Sequence, residues 1–125
     1  MTAVDLCQPN PAQCVHHGMA IDAVALAHAG IAVIGCSRSR QLLRAVAEAL
    51  HFPGYYGHNW DALEECLLDL SSWWPTAQRG WVLVVDDQPD EDWNRLVAIW
   101  PRAATVHAAA GRSLHLVFAQ PRALG

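Results

Sequence analysis

The sequence predicts an α/β fold in which a small three-stranded parallel β-sheet is covered by α-helices. Three short apolar segments, residues 30–36, 81–85 and 114–119, have the length and composition of strands buried on both faces. Helical patterns lie between them, and such alternation indicates parallel strands joined by right-handed crossovers. The 125 residues are 53% hydrophobic and 16% charged, which is typical of a globular domain.

The first half of the chain is predicted to contain two helices around the first strand. One helix ends at Gly30, directly before that strand. Ser37 or Ser39 can then cap a second helix, because a hydroxyl oxygen can accept a hydrogen bond from the first helical turn. Apolar residues at helical spacing carry this second helix to about Leu50.

The second half of the chain is predicted to contain two further helices. Asn59 can cap a helix that extends to about Leu70. Pro89 suits the start of the next helix, and Pro101 is expected to break or kink it. Gly111 is expected to end the helical segment before the last strand.

We divide the chain into an N-terminal arm, residues 1–18, whose order the sequence does not define, and a single domain, residues 19–125. The first residues have neither the basic region nor the apolar region of a secretion signal, which indicates a cytoplasmic protein. The four cysteines are then expected to be reduced thiols.

A metal site and a cofactor are not predicted. Cys7, Cys14, His16 and His17 are potential ligands near the N-terminus, but six residues separate the two cysteines. Zinc turns usually have two to four, and no second cysteine pair follows.

The distribution of charge is strongly asymmetric. The chain has a net charge of −4, and its basic residues are all arginines. This balance does not favour a nucleic acid or an anionic membrane as partner. Between Arg44 and Arg79 there is no basic residue, although five acidic residues fall there: Glu48, Asp61, Glu64, Glu65 and Asp69.

Four of these acids lie on the helix predicted after Asn59. Asp61, Glu65 and Asp69 are spaced four residues apart and therefore share one face, with Glu64 beside them. The side expected to face the core is apolar at spacings of three, four and three residues: Trp60, Leu63, Leu67 and Leu70.

Three interpretations of this acidic surface remain open. It can be a solvated helix face, although such faces usually mix charges of both signs. It can bind a basic partner, which the preceding "GYYG" favours because aromatic residues are enriched in interfaces. It can serve catalysis through His58 and Asp61, although no nucleophile, metal motif or phosphate loop accompanies them.

The segment "FPGYYGHNWDALEECLLDL", residues 52–70, resembles the central motif of the barstar family. That motif reads hydrophobic-Pro-x-Tyr-Tyr-Gly-x-Asn-x-Asp-Ala-Leu-x-acid-Cys-Leu, and the order of predicted strands and helices around it also agrees. The resemblance covers residues 30–119. It implies a three-stranded parallel sheet surrounded by helices.

The resemblance further implies a cytoplasmic inhibitor of a ribonuclease, of antitoxin or immunity type, and not an enzyme. The partner is expected to be a basic ribonuclease of extracellular or toxin type, bound by the motif helix and the loop before it. By position in the motif, Tyr55 packs against the enzyme, Asp61 pairs with its basic rim and Glu65 enters its phosphate pocket. The partner-binding residues predicted in this way are Tyr55, Tyr56, Gly57, His58, Asn59, Asp61, Glu64, Glu65 and Asp69.

This chain departs from the motif at several contact positions. Glu65 stands where the archetype has aspartate, Glu64 and Leu70 replace aromatic residues, and His58 and Val106 replace glutamates. These departures leave a second interpretation open, in which the fold binds a protein that is not a nuclease. The sequence does not define the oligomeric state, and a monomer is expected for the free protein.

Overall fold

A computed structural model of the chain describes residues 5–54, 57–74 and 78–119. The strands are β1 (Val15–His17), β2 (Ile31–Cys36), β3 (Gly80–Val85) and β4 (Ser113–Phe118). The helices are α1 (Ala23–His28), α2 (Leu42–Ala49), α3 (Trp60–Leu68) and α4 (Glu91–Ala109). All strand pairs are parallel, in the order β1-β4-β3-β2, so the predicted α/β class is confirmed.

The sheet has four strands, and the prediction of three is wrong. The additional strand, β1, lies within the N-terminal arm and pairs with β4. The backbone N–H of Leu116 donates to the Cys14 carbonyl, and that of Gly18 donates to the Phe118 carbonyl, both at 2.8 Å. A strand of three residues, two of them histidines, is too short to show an alternating pattern, and its pairing partner lies far along the chain.

The two faces of the sheet are covered by different parts of the chain. Helices α2, α3 and α4 cover one face, whose core includes Trp81, Trp93 and Trp100, each at most 1% exposed. The opposite face packs against α1 and against Leu6 of the N-terminal arm.

The predicted serine cap of α2 is wrong, and Pro101 does not break α4. The cap of α2 is Gln41 and not a serine, since its side-chain oxygen accepts from the Arg44 backbone N–H at 2.8 Å. Helix α4 continues through Pro101 as one element of 19 residues. The buried residues on both sides of this proline, Trp100 and Ala103, anchor the helix to the core, so packing overrides the local breaker.

The ends of α3 and α4 agree with the sequence. Asn59 caps α3, and Gly111 follows α4 with a φ of +76°. The Arg112 backbone N–H returns to the His107 carbonyl at 2.9 Å, as expected for a glycine-terminated helix. All four cysteines are free thiols. Within the described ranges, no helix is long and apolar enough to cross a membrane.

Candidate functional site

Helix α3 is fixed by a polar cap at its start and by apolar side chains on its inner face. The Asn59 side-chain oxygen accepts from the Ala62 backbone N–H at 2.8 Å, which satisfies a donor that the helix itself leaves free. Leu63 and Leu67 are completely buried against the sheet. The inner face therefore determines which side chains of α3 point outward.

Three carboxylates, Asp61, Glu65 and Asp69, form an exposed line along the outer side of α3, which we call the acidic face. No arginine or histidine of the described residues lies within 4.0 Å of these carboxylates. Asp69 accepts a hydrogen bond from the Ser72 hydroxyl at 2.7 Å. The acidic face thus presents oxygen acceptors whose charge is not neutralised by the described part of the chain.

Glu64 differs from the other acids of α3, because it already has a cationic partner. Its Oε1 accepts from Nη1 of Arg102 on α4 at 2.6 Å, and its side chain is 26% exposed. The two residues are 38 positions apart, so the acidic run in the sequence gave no indication of this pair. The net charge that α3 presents is therefore smaller than its sequence predicts.

A second arginine of α4 covers the aromatic residue at the start of α3. The Arg95 guanidinium carbon lies 4.5 Å from the ring centre of Trp60, a cation–π arrangement. Trp60 is half-buried, in partial agreement with its predicted position on the apolar side. Trp60 and Glu64 are four residues apart and therefore lie on the same side of α3, which Arg95 and Arg102 contact. The acidic face lies next to this side.

The loop before α3 positions the cap residue. Gly57 and His58 are exposed, and His58 adopts a φ of +54°, in the left-handed region that is uncommon for residues other than glycine. A Cβ added to Gly57 would lie 3.1 Å from the Asn59 side-chain nitrogen, so this turn is close to the cap. Tyr55 and Tyr56 lie outside the described residues.

An open cleft of about 380 Å³ lies beside the acidic face. It is lined by Glu65, Cys66, Leu68, Asp69 and Trp73. Burial raises the pKa of the Cys66 thiol, and the negative charges of Glu65 and Asp69 raise it further. The thiol is therefore held in its neutral form, and the carboxylates provide the negative charge at this cleft.

The potential metal ligands near the N-terminus have structural contacts instead. Cys14 is 2% exposed and belongs to the hydrophobic core. His16 lies 2.9 Å from the His115 ring nitrogen. Among the described residues, no three side chains of His, Cys, Asp or Glu form a group that could hold a metal ion.

Two of the positions that depart from the motif have clear environments. Leu70 is completely buried, so it fills the core and leaves no side chain for a partner. Val106 is 46% exposed on α4, and it is one of two large apolar side chains described as exposed. An apolar contact is therefore available where the archetype has an acidic one.

Comparison with known proteins gives one match. A family model described as Barstar (barnase inhibitor) matches residues 27–119, which include the complete acidic face and exclude β1. Searches of curated proteins and of solved structures found no match.

Proposed function

The chain belongs to the barstar family, and on that premise we propose that it is a cytoplasmic inhibitor of a ribonuclease, of antitoxin or immunity type. The family is one of inhibitors and not of enzymes. The observation that carries the proposal is the acidic face, three exposed carboxylates along α3 with no cation within 4.0 Å of them in the described residues. A basic enzyme that binds RNA phosphates is the partner that such a surface fits.

The chemistry of inhibition follows from the acceptor geometry of a carboxylate. Ionised Asp61 and Glu65 have only acceptor oxygens, and each can receive two N–H groups from one arginine. A site that binds phosphate oxygens presents the same donors, so a carboxylate can occupy it in place of the substrate. We assign Glu65 to the phosphate pocket and Asp61 to its basic rim.

The remaining predicted contacts have supporting roles. We assign Tyr55, Tyr56, Gly57 and His58 to a contact surface beside the acidic face. Asn59 acts mainly through its cap, which orients the first turn of α3. Asp69 extends the negative field toward the cleft, whereas the pairing with Arg102 reduces the contribution of Glu64.

A second candidate function is supported by Leu70 and Val106. Leu70 is buried and Val106 is exposed, so the surface around the acidic face is less polar than the family motif would make it. This surface suits a barstar-like module that binds a basic protein other than a nuclease. Both candidates use the acidic face, so binding alone does not separate them, and the loss of RNA cleavage does.

The test compares the wild-type protein with Asp61→Ala/Glu65→Ala. Each is immobilised, and proteins are captured at low salt from lysate of the source cells. The eluates are assayed for ribonuclease activity, before and after the free protein is added back. The matched control is Glu91→Ala/Asp92→Ala, which removes the same charge from two exposed residues at the start of α4.

The proposal expects ribonuclease activity in the wild-type and control eluates, its absence from the double-mutant eluate, and its suppression by the added protein. A captured partner that cleaves RNA undisturbed, or that cleaves none, would overturn the inhibitor function and favour the binding module. Equal loss in the Glu91→Ala/Asp92→Ala control would show that net charge, and not the acidic face, determines capture. Capture should weaken as salt rises, because screening shortens the reach of the field.

A further inference from the structure

Strand β2 has one edge that pairs with no other described strand. It is the last strand of the sheet and pairs on one side with β3. The Cys36 carbonyl accepts from the Asp86 backbone N–H at 3.2 Å, so the backbone groups of Cys36 point toward β3. Along a strand, the backbone N–H and C=O groups of successive residues point alternately to the two sides. The N–H and C=O groups of Ile31, Val33 and Gly35 therefore point away from β3. In the described ranges they form no other backbone hydrogen bond.

This edge lacks four features by which proteins often prevent pairing with another strand. Such features are charged side chains, prolines, bulges or very short strands. The sequence of β2 is IAVIGC, six residues without charge or proline. Gly35 is exposed, and a Cβ placed on it would meet nothing within 4 Å among the described residues. By contrast, β1 at the other edge has three residues, two of them histidines.

We propose that two copies of this chain associate by antiparallel pairing of their β2 strands around a twofold axis at Val33. In that register, Val33 lies opposite its own copy, and Ile31 lies opposite Gly35 of the second copy. Each outward-pointing N–H then meets an outward-pointing C=O, so every free group of the ladder is satisfied at once. The two four-stranded sheets become one continuous sheet.

The occupant is a second copy because the free edge is complementary to itself. The outward-pointing residues are symmetric about Val33, as an isologous contact requires. Their side chains lie on the α1 face of the sheet, where Ile31 belongs to the core beneath α1 and Val33 packs against it. Val24 of α1 is 69% exposed, the most exposed large apolar side chain described. The twofold axis places both α1 helices on the same face of the joined sheet.

This association goes beyond the proposed inhibition and does not depend on it. Helix α3 packs against α2 and α4, and its acidic face points outward from them. The dimer contact uses backbone groups and apolar side chains, so salt should not weaken it. Since each copy carries a net charge of −4, screening should favour association slightly. A contact through one short strand belongs to the small, weak class of interfaces.

The test measures molecular mass by sedimentation equilibrium from about 1 µM to about 1 mM, the range of a weak complex. Wild type should approach the dimer mass at the upper end. Gly35→Pro should remain monomeric, with the dissociation constant raised at least about 100-fold, a change of roughly 2.7 kcal/mol. The substitution removes an outward-pointing N–H and none of the bonds to β3. Gly35→Ala retains that N–H and is the matched control, which should dimerise like wild type.

Amide hydrogen exchange of the wild type provides a second measurement that does not depend on folding of the proline variant. The amides of Ile31, Val33 and Gly35 should become protected as concentration rises, whereas that of Ala32 should be protected at all concentrations. A wild type that stays monomeric at about 1 mM would overturn the proposal. A dimer that persists in a folded Gly35→Pro variant, or edge amides that exchange independently of concentration, would also contradict it.

Discussion

Arg102 on α4 donates from Nη1 to Oε1 of Glu64 on α3 at 2.6 Å, and this ion pair determines which carboxylates of α3 remain available to a partner. Glu64 is one residue away from Glu65, yet it is neutralised, whereas the acidic face beside it has no such partner among the described residues. The pair also joins two of the three helices that cover one face of the sheet. Removal of this ion pair should change the electrostatic field at the acidic face more than it changes the free energy of unfolding.

We expect Arg102→Ala to accelerate association with the captured basic ribonuclease at low salt. The substitution removes a positive charge that repels the partner and exposes the charge of Glu64. The acceleration should disappear at high salt, where charges more than about 8 Å apart are screened. The free energy of unfolding should change by less than about 1 kcal/mol, because the Arg102 side chain is 69% exposed.

Stopped-flow association rates at low and high salt test this expectation, with chemical denaturation for the stability. The control is Arg40→Ala, which makes the same charge change in an exposed ion pair, that of Arg40 with Glu48 at 2.7 Å. Equal acceleration by both variants would mean that total charge matters and the position of Arg102 does not.

Asn59→Ala should destabilise the protein by about 1 kcal/mol, because the Ala62 backbone N–H loses the side-chain acceptor 2.8 Å away. Asn59→Asp should retain stability, since a carboxylate can accept the same bond and its charge suits the start of a helix. Urea denaturation of the three proteins measures the difference. Loss of stability in Asn59→Asp equal to that in Asn59→Ala would show that the amide nitrogen of Asn59, and not its oxygen, is required.

Gly80→Ala should be strongly destabilising, by about 3 kcal/mol or more, because the site has no room for a methyl group. A Cβ on Gly80 would lie 2.5 Å from the Ser113 carbonyl oxygen and would overlap the Ser113 hydroxyl. Ser113 is completely buried, so it cannot move away into solvent. The matched control is Gly35→Ala, in open space on β2, which should change stability by less than about 1 kcal/mol.

Thermal and urea denaturation compare these two glycine substitutions. A folded Gly80→Ala protein of wild-type stability would mean that β3 and β4 can separate locally at no cost. Loss of stability in Gly35→Ala would contradict the open environment of β2.

Helix α3 could be predicted from the sequence because its determinants are local. Asn59 precedes a segment with leucines at helical spacing. The cap residue and the apolar residues therefore both predict a helix at the same place. The pairing of Glu64 with Arg102 could not be predicted, because it depends on how α4 crosses α3. The continuation of α4 through Pro101 was missed for the same reason, since burial of the flanking side chains outweighs the local penalty.

Strand β1 was missed because its partners are distant in sequence. From the sequence, His16 is a polar residue in a loosely ordered arm. In the structure, its Nε2–H donates to Nδ1 of His115 on β4 at 2.9 Å. His115 in turn donates from Nε2 to the Gln8 carbonyl at 2.9 Å. Ser113 adds a bond to the Leu6 carbonyl at 3.2 Å. The arm is therefore held to the sheet by polar contacts that no periodicity could reveal.

His115 must be neutral to accept the bond from His16 at Nδ1, and the pKa values of both histidines are lowered, so the stability should fall in acid. Burial, and to a smaller extent the neighbouring His115 and His17, together lower the pKa of His16 to about 4. Burial also lowers the pKa of His115, although its bond to Gln8 and the charge of Asp5 oppose this.

The ordinary pKa of histidine is 6.5, whereas that of His16 in the folded chain is about 4. Between these two pH values, His16 therefore binds a proton in the unfolded chain but not in the folded chain. The free energy of unfolding should be highest above pH 6.5 and should decrease as the pH falls through this window.

His16→Gln should reduce this dependence, because its amide can donate to His115 but does not titrate. Urea denaturation at pH 7 and pH 4.5 measures the loss for each protein, and the variant should lose less than the wild type. His28→Gln, which changes an exposed histidine on α1, is the control and should lose as much as the wild type. Equal losses in all three proteins would show that the pair of His16 and His115 does not determine the acid sensitivity. Other groups would then be responsible, such as buried His107, because burial lowers its pKa as well.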